Sequence, residues 1–309
     1  MTVETSILGD ISREQFLAEY WQKKPLLVRG AIANFQPPID ANELAGMALE
    51  EEIESRIVLE QDWQLQCGPF TEETFARLPE DKWTLLVQAV DLWVPEVAEL
   101  LTRFDFLPKW RIDDIMVSYA ADGGSVGPHF DYYDVFLLQG AGRRRWQIGA
   151  ECDGDCPLVA NTALKILQHF EPVDEWVLEP GDMLYLPPKV AHHGVAIGEC
   201  TTFSVGFRAP AASEMLDDLA TELLSGIALP KHLIDPPLTP AMATKQISAA
   251  HIASVRELLQ ATLDDEKLLA EWFAQYMTRP KYPDLVEETG EKRCAVLADS
   301  TSFTNGEKD

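Results

Sequence analysis

Residues 123–146 read GGSVGPHFDYYDVFLLQGAGRRRW, which puts a His-x-Asp pair, an apolar run, a glycine-marked turn and three arginines in one segment. Side chains at i and i+2 of a strand share a face, so a hairpin here aims His129 and Asp131 the same way, where they could hold one metal ion. An imidazole and a carboxylate are part of the facial triad that binds non-haem Fe(II) and leaves coordination positions open; a second histidine must come from elsewhere. Parity also sorts the arginines. Arg144 shares a face with Trp146 and Ile148, so an inward apolar face takes Arg144 inward, while Arg143 and Arg145 point out. A buried guanidinium needs an anionic partner.

The missing ligand lies beyond a second turn signal. GDMLYLPPKVAH, residues 181–192, reads as a turn, a buried strand, a proline-marked corner and then a histidine. Around these two stretches the chain is a series of short β runs, at 112–119, 130–139, 143–148, 175–178, 183–186 and 201–207, separated by Gly123-Gly124, Gly140-Ala141-Gly142 and Pro180-Gly181-Asp182. This pattern predicts a double-sheet jelly roll or small barrel, in which distant segments lie side by side and their ligands converge. On the closing run Thr202 and Ser204 alternate with Phe203, Val205 and Phe207. The two hydroxyls either line the pocket or bond to backbone.

Upstream, residues 11–30 begin with a helix signal, Ser12 as N-cap, Gln15 three residues on and an apolar stripe of Phe16, Leu17, Tyr20 and Trp21, stopped by Pro25 before a short strand at 26–28. Helices at 40–50, 71–78 and 95–101 and strands at 56–60 and 83–87 make the first third mixed α+β. Downstream of Pro210, residues 213–224 and 248–277 carry helical periodicity with Ser213 and Ser248 as N-caps, joined by a proline-rich link. From Arg279 the chain is polar and is expected to end disordered.

At 309 residues and 46% hydrophobic content the chain can bury a sizeable core. It begins without a signal-peptide pattern and holds no run apolar enough to span a bilayer, which predicts a soluble cytoplasmic protein with no membrane partner. Five scattered cysteines fit a reducing compartment, and Cys152-x3-Cys156 lacks the second ligand pair of a zinc site. His169, His232 and His251 have no evident partners. The net charge of −26 excludes a general nucleic-acid binder and favours a basic polypeptide partner, although solubility alone also accounts for it.

Gly123-x5-His129-x-Asp131 and Gly181-x5-Pro187-x4-His192 resemble the two halves of the cupin pattern in its Fe(II) and 2-oxoglutarate oxygenase form, the JmjC-type barrel. Lys189 departs from it, standing where many cupins keep a glycine. The glutamate of His-x-His cupins is also missing, which favours the oxygenase branch with Asp131 as the carboxylate ligand. Spacing from Pro187 and the pattern together select His192 over His193. FLAEYWQKKPLLVRGA, HFDYYDVFLLQGAGRRRW and YLPP…H followed by FSVGFRAP are similar to the bacterial ribosomal oxygenases over residues 10–278.

That resemblance implies an α+β chain. A double-stranded β-helix core over 111–208 would lie within a JmjC-type oxygenase domain at 1–210, its N-terminal part mixed α/β. A helical homodimerisation region at 211–278 follows, and the family's winged-helix domain is expected to be missing or truncated at the polar tail, 279–309. The resemblance implies Fe(II) held by His129, Asp131 and His192, with 2-oxoglutarate as cosubstrate held by Arg144 and with O2 as oxidant. The substrate would be an arginine of a basic large-subunit ribosomal protein, contacted by Asp122 and Ser213. On residue chemistry alone Asp122 is equally a turn former and Ser213 an N-cap. The rival readings are a JmjC-type oxygenase on another substrate, such as a lysine demethylase, and a non-catalytic metal-binding cupin. The last would be favoured if Arg144 were shut out of the cavity.

Overall fold

A computed structural model of the chain describes residues 6–225, 232–238 and 247–309. It divides into two compact units, Met1–Ala209 with Asp284–Glu291, and Pro210–Pro283 with Lys292–Asp309.

The first unit begins with α1 (Arg13–Glu19), whose cap Ser12 accepts from the Gln15 amide, and β1 (Leu26–Val28). There follow α2 (Ala41–Met47), β2 (Ser55–Leu59), β3 (Gln64–Cys67), α3 (Glu72–Ala76), β4 (Trp83–Val87) and α4 (Pro95–Ala98). The remaining strands are β5 (Ile112–Ala120), β6 (Val135–Gln139), β7 (Arg143–Glu151), β8 (Asp174–Leu178), β9 (Met183–Leu186), β10 (Val190–Ile197) and β11 (Cys200–Phe207). They form an eight-stranded sheet, β1-β9-β6-β11-β5-β4-β2-β3, and a three-stranded sheet, β10-β7-β8, every pair antiparallel. The result is a jelly roll.

The central strands of the larger sheet, β9, β6 and β11, are buried on both faces. Along β6, Phe136 and Leu138 pack with α1 and the other N-terminal elements, whereas Val135 and Leu137 pack with Trp146, Ile148, Leu178, Leu184, Leu186 and Val190 between the sheets. Such a strand reads as a continuous apolar run, which explains VFLL. Phe16 is fully buried among Tyr185, Phe106 and Phe136 at ring separations of 5.0, 5.7 and 5.7 Å. Beneath it lies Asp134, also fully buried, which accepts from Tyr185 (2.7 Å), Gln22 (3.1 Å) and Arg111 (3.3 Å).

Three expectations are corrected here. β6 and β7 are not a hairpin: they lie in different sheets, and Gly140-Ala141-Gly142 is the corner between them. Gly142 has φ +65°, and a Cβ there would stand 2.0 Å from the Glu199 carbonyl oxygen, so only glycine fits. The strand expected at 130–139 starts at Val135, leaving His129 and Asp131 on an irregular segment that makes an isolated bridge to β10. β10 itself, VAHHGVAI, is a full strand where the sequence shows only a corner and a histidine, because two polar residues and a glycine interrupt its apolar pattern.

The second unit holds α5 (Ala212–Ser225), α6 (Ala249–Leu263) and α7 (Glu266–Thr278), and the first unit takes back the short α8 (Val286–Thr289). The helix expected over 248–277 is two, broken at Asp264-Asp265, where the Asp265 carboxylate accepts from the Leu268 amide and caps α7. Ser213 lies inside the first turn of α5 and is not its cap; the Ala211 amide instead donates to Glu214 Oε2 at 2.7 Å. The tail does not end disordered. It forms β12 (Cys294–Val296), β13 (Ser302–Thr304) and β14 (Glu307–Lys308), a small antiparallel sheet whose Phe303 is fully buried. Asn305 and Gly306, at φ 51° and 84°, make the two-residue turn between the last two strands. Among the described residues no helix is long and apolar enough to cross a membrane.

Candidate metal centre

The segment after β5 runs antiparallel to β10. Gly123 and Gly124 exchange hydrogen bonds with Ala196 at 3.1 Å each, and His129 and His192 exchange theirs at 3.0 and 2.8 Å. This pairing puts the two imidazoles side by side, ring centroids 4.3 Å apart. Two residues on, the Asp131 carbonyl accepts from the Lys189 amide at 2.6 Å, which turns its carboxylate back to the histidines. Asp131 Oδ2 is 3.9 Å from His129 Nε2 and 3.7 Å from His192 Nε2. One potential ligand atom from each of the three lies within 4.8 Å of the others, and no other such group of three occurs among the described residues.

Both rings are oriented by backbone. His129 Nδ1 contacts the Gly127 carbonyl and His192 Nδ1 the Val190 carbonyl, each at 2.9 Å. A carbonyl only accepts, so Nδ1 carries the proton and each Nε2 keeps its lone pair for a metal. Burial, reinforced by the neighbouring His129, pushes the His192 pKa down to about 4, so the imidazole is neutral at physiological pH. His193 turns to the opposite side of β10, its ring edge-on to Phe170 at 5.9 Å. His251 serves α6, its Nδ1 2.7 Å from the capping Ser248 hydroxyl.

Lys189 holds φ +70°, in the left-handed region that favours glycine, which is a physical reason for the glycine other cupins carry there. Its amide is the one bonded to the Asp131 carbonyl, so this strained residue positions Asp131 in the cluster.

Arg144 is 6% exposed, and its Nε and Nη2 have no hydrogen-bond partner. In register Ala196 faces Arg144 and His192 faces Ile148, so Arg144 lies four residues from the His192 pair along β7, on the face it shares with Trp146 and Ile148. Four residues of strand span about 13 Å. Arg143 is exposed and Arg145 half-buried. Thr202 and Ser204, on β11, are buried on the face opposite the Phe203, Val205 and Phe207 cluster, and the Thr202 hydroxyl has no partner. The backbone-bonding hydroxyl is Thr201, which accepts from the Ala141 amide at 2.8 Å. Asp122 is exposed and its Oδ1 accepts from the Gly198 amide at 2.7 Å, capping the β10–β11 turn. Sequence reasoning missed the buried polar groups beside these residues, the Trp146 indole N–H and Gln139 Oε1, both without partners. Parity already put Trp146 on the inward face; nothing in the sequence marks its N–H as unpaired.

A family profile described as the JmjC domain matches residues 99–215, and one described as an AraC-like ligand binding domain matches residues 173–272. Ribosomal protein uL16 3-hydroxylase of Escherichia coli is 38% identical over 271 residues, covering 86% of this chain and 71% of that protein. A probable ribosomal oxygenase of Haemophilus influenzae is 43% identical over 223 residues, 71% of this chain and 55% of that protein. The crystal structure of E. coli YcfD superposes with a TM-score of 0.86 at 34% identity, covering 97% of this chain and 86% of that one. YcfD in complex with cobalt and 2-oxoglutarate superposes at 0.84, with the same identity and coverage. Barrel, ligand geometry and relatives lead to one conclusion: this chain belongs to the JmjC-type ribosomal oxygenases.

Proposed function

We propose that the chain is an Fe(II)- and 2-oxoglutarate-dependent oxygenase that hydroxylates an arginine of a basic large-subunit ribosomal protein. The observation that carries this is the buried, unpaired Arg144 guanidinium on the face of β7 that looks along the barrel from the His129, Asp131 and His192 cluster. An uncompensated buried charge costs on the order of 3–5 kcal/mol, so the site is built for an anion. Its inward position also speaks against the non-catalytic reading.

The donor set fits iron. Two imidazoles and one carboxylate, without thiolate, are the ligands of non-haem Fe(II), and three protein ligands leave positions for other groups. When bound, the iron and 2-oxoglutarate supply the oxidising chemistry: O2 is consumed, the keto acid leaves as succinate and CO2, and one oxygen atom enters a substrate C–H bond. Arg144 grips the distal carboxylate with a fork matched to it, and Thr202 and Ser204 line that end. The apolar layer between the sheets excludes water from the reacting groups. Asp122, and Ser213 on α5, are the residues proposed to orient the substrate guanidinium.

The charge of −26 suits a basic partner by steering and disfavours nucleic acid. α6 buries no residue among those described, and Ile252, Val255, Leu259 and Leu263 form an exposed stripe along it. A homodimer through this stripe and a cytoplasmic location complete the reading. The test is turnover. Purified protein with Fe(II), 2-oxoglutarate and ribosomal proteins should release succinate and add one oxygen to a single large-subunit protein by intact mass, and His129→Ala should do neither. No succinate from the unaltered protein sinks the proposal.

A further inference from the structure

One more unpaired donor lies beside Arg144. Trp146 is 5% exposed and its indole Nε1 is buried without a partner, although a buried indole ordinarily finds one. Trp272, in the other unit, behaves in the ordinary way and gives its N–H to Asp218 at 2.8 Å.

Two contacts fix where the Trp146 ring sits. The Arg144 Cζ is 5.7 Å from its centroid and the His192 ring is 5.9 Å away, so the indole bridges the space between the anion anchor and a metal ligand. β10 sets its orientation. Gly194 pairs with Trp146 in register, and a Cβ on Gly194 would stand 2.7 Å from indole Cη2 and Cζ3 and 2.9 Å from Cε3. Three distances this nearly equal put that Cβ over the face of the six-membered ring, so the bare glycine lets the indole lie flat against β10 and any side chain there would displace it.

We propose that Trp146 is a cosubstrate-binding residue whose indole N–H donates to a carboxylate oxygen of the dicarboxylate that Arg144 anchors, with Gly194 holding the ring in place. The inference rests on the reading of Arg144 given above. It assigns the pocket a second donor, nearer the metal ligand than the arginine is. A hydrogen bond to a charged acceptor corresponds to a roughly tenfold to hundredfold change in affinity.

The test uses the full chain loaded with Zn(II), which is diamagnetic and does not turn over, and nitrogen-15 labelling of the indoles. Trp146→Phe identifies the Trp146 N–H resonance by its loss; should that variant fail to fold, Gly194→Ala identifies it by displacing the ring. Adding 2-oxoglutarate should move this resonance downfield. By calorimetry Trp146→Phe should weaken 2-oxoglutarate binding roughly tenfold to hundredfold with zinc affinity unchanged. A resonance that stays put while 2-oxoglutarate binds, with Arg144→Met losing that binding, overturns the role of Trp146 and leaves Arg144 standing. An unaltered protein that takes up no 2-oxoglutarate overturns both.

Discussion

Asp134 and Arg144 are both buried charges in the same jelly roll, 0% and 6% exposed, and they have opposite surroundings. Asp134, under the N-terminal helix, receives hydrogen bonds from Tyr185, Gln22 and Arg111, and burial together with Asp134 raises the Tyr185 pKa and keeps its phenol a donor. Arg144, between the sheets, has an aromatic ring beside it and no partner for Nε or Nη2. The contrast separates structure from function: a charge the fold has already satisfied fastens the fold, and one it leaves unsatisfied is available for a ligand.

Breaking each charge should therefore give opposite phenotypes. Arg144→Met should reduce 2-oxoglutarate affinity at least about a hundredfold, as expected for loss of one partner of a desolvated charge pair, while thermal stability stays level or rises because an unpaired buried charge is gone. Calorimetry beside a melting curve reads both. Lower stability with binding retained would show Arg144 to be a structural cation and would remove the main support for the oxygenase reading.

Asp134→Asn should do the reverse. It strips Arg111 of its counter-charge and is expected to cost about 3 kcal/mol, a fall in Tm on the order of 6–12 °C for a unit of this size. Cosubstrate affinity per folded molecule should be unchanged. If Asp134→Asn melts like the unaltered protein, the three hydrogen bonds drawn to it are worth little and the contrast with Arg144 loses one side.

The two charges also differ in how far the sequence reveals them. Arg144 follows from parity within RRRW, since Trp146 and Ile148 fix the inward face, and His129, Asp131 and His192 stand out by spacing. Asp134 does not: it sits between Tyr133 and an apolar run, and its partners Gln22, Arg111 and Tyr185 are remote in sequence, so only the fold brings them to it. The failed hairpin has the same origin, because turn residues mark a corner without saying which sheet the next strand joins. β10 was hidden by the very residues that matter, the paired histidines and the glycine under Trp146. The tail was different, since Asn305-Gly306 between two short runs is a readable hairpin signal that the polar composition obscured.

The second unit sharpens the contrast on a surface. The α6 stripe is an unsatisfied apolar face, as Arg144 is an unsatisfied charge, and should likewise reveal a partner when altered. Leu259→Glu, at a residue 62% exposed, should shift a homodimer to monomer in sedimentation or light scattering without lowering the melting temperature of the barrel unit. A chain that is monomeric before the substitution removes the dimer from the proposal.

The smallest expected effect concerns Lys189, where local strain and the placement of Asp131 coincide. A non-glycine residue in the left-handed region costs about 1 kcal/mol, part of which glycine gives back by gaining entropy in the unfolded chain. Lys189→Gly should thus raise the barrel's stability by a few tenths of a kcal/mol, since the amide that bonds Asp131 and the carbonyl that accepts from Cys152 are both retained. Metal affinity should not change, because the backbone already holds the geometry that glycine prefers. A tenfold loss of metal affinity in Lys189→Gly would mean that strain helps hold Asp131 against the histidines. The stored strain would then belong to the site and not only to the fold.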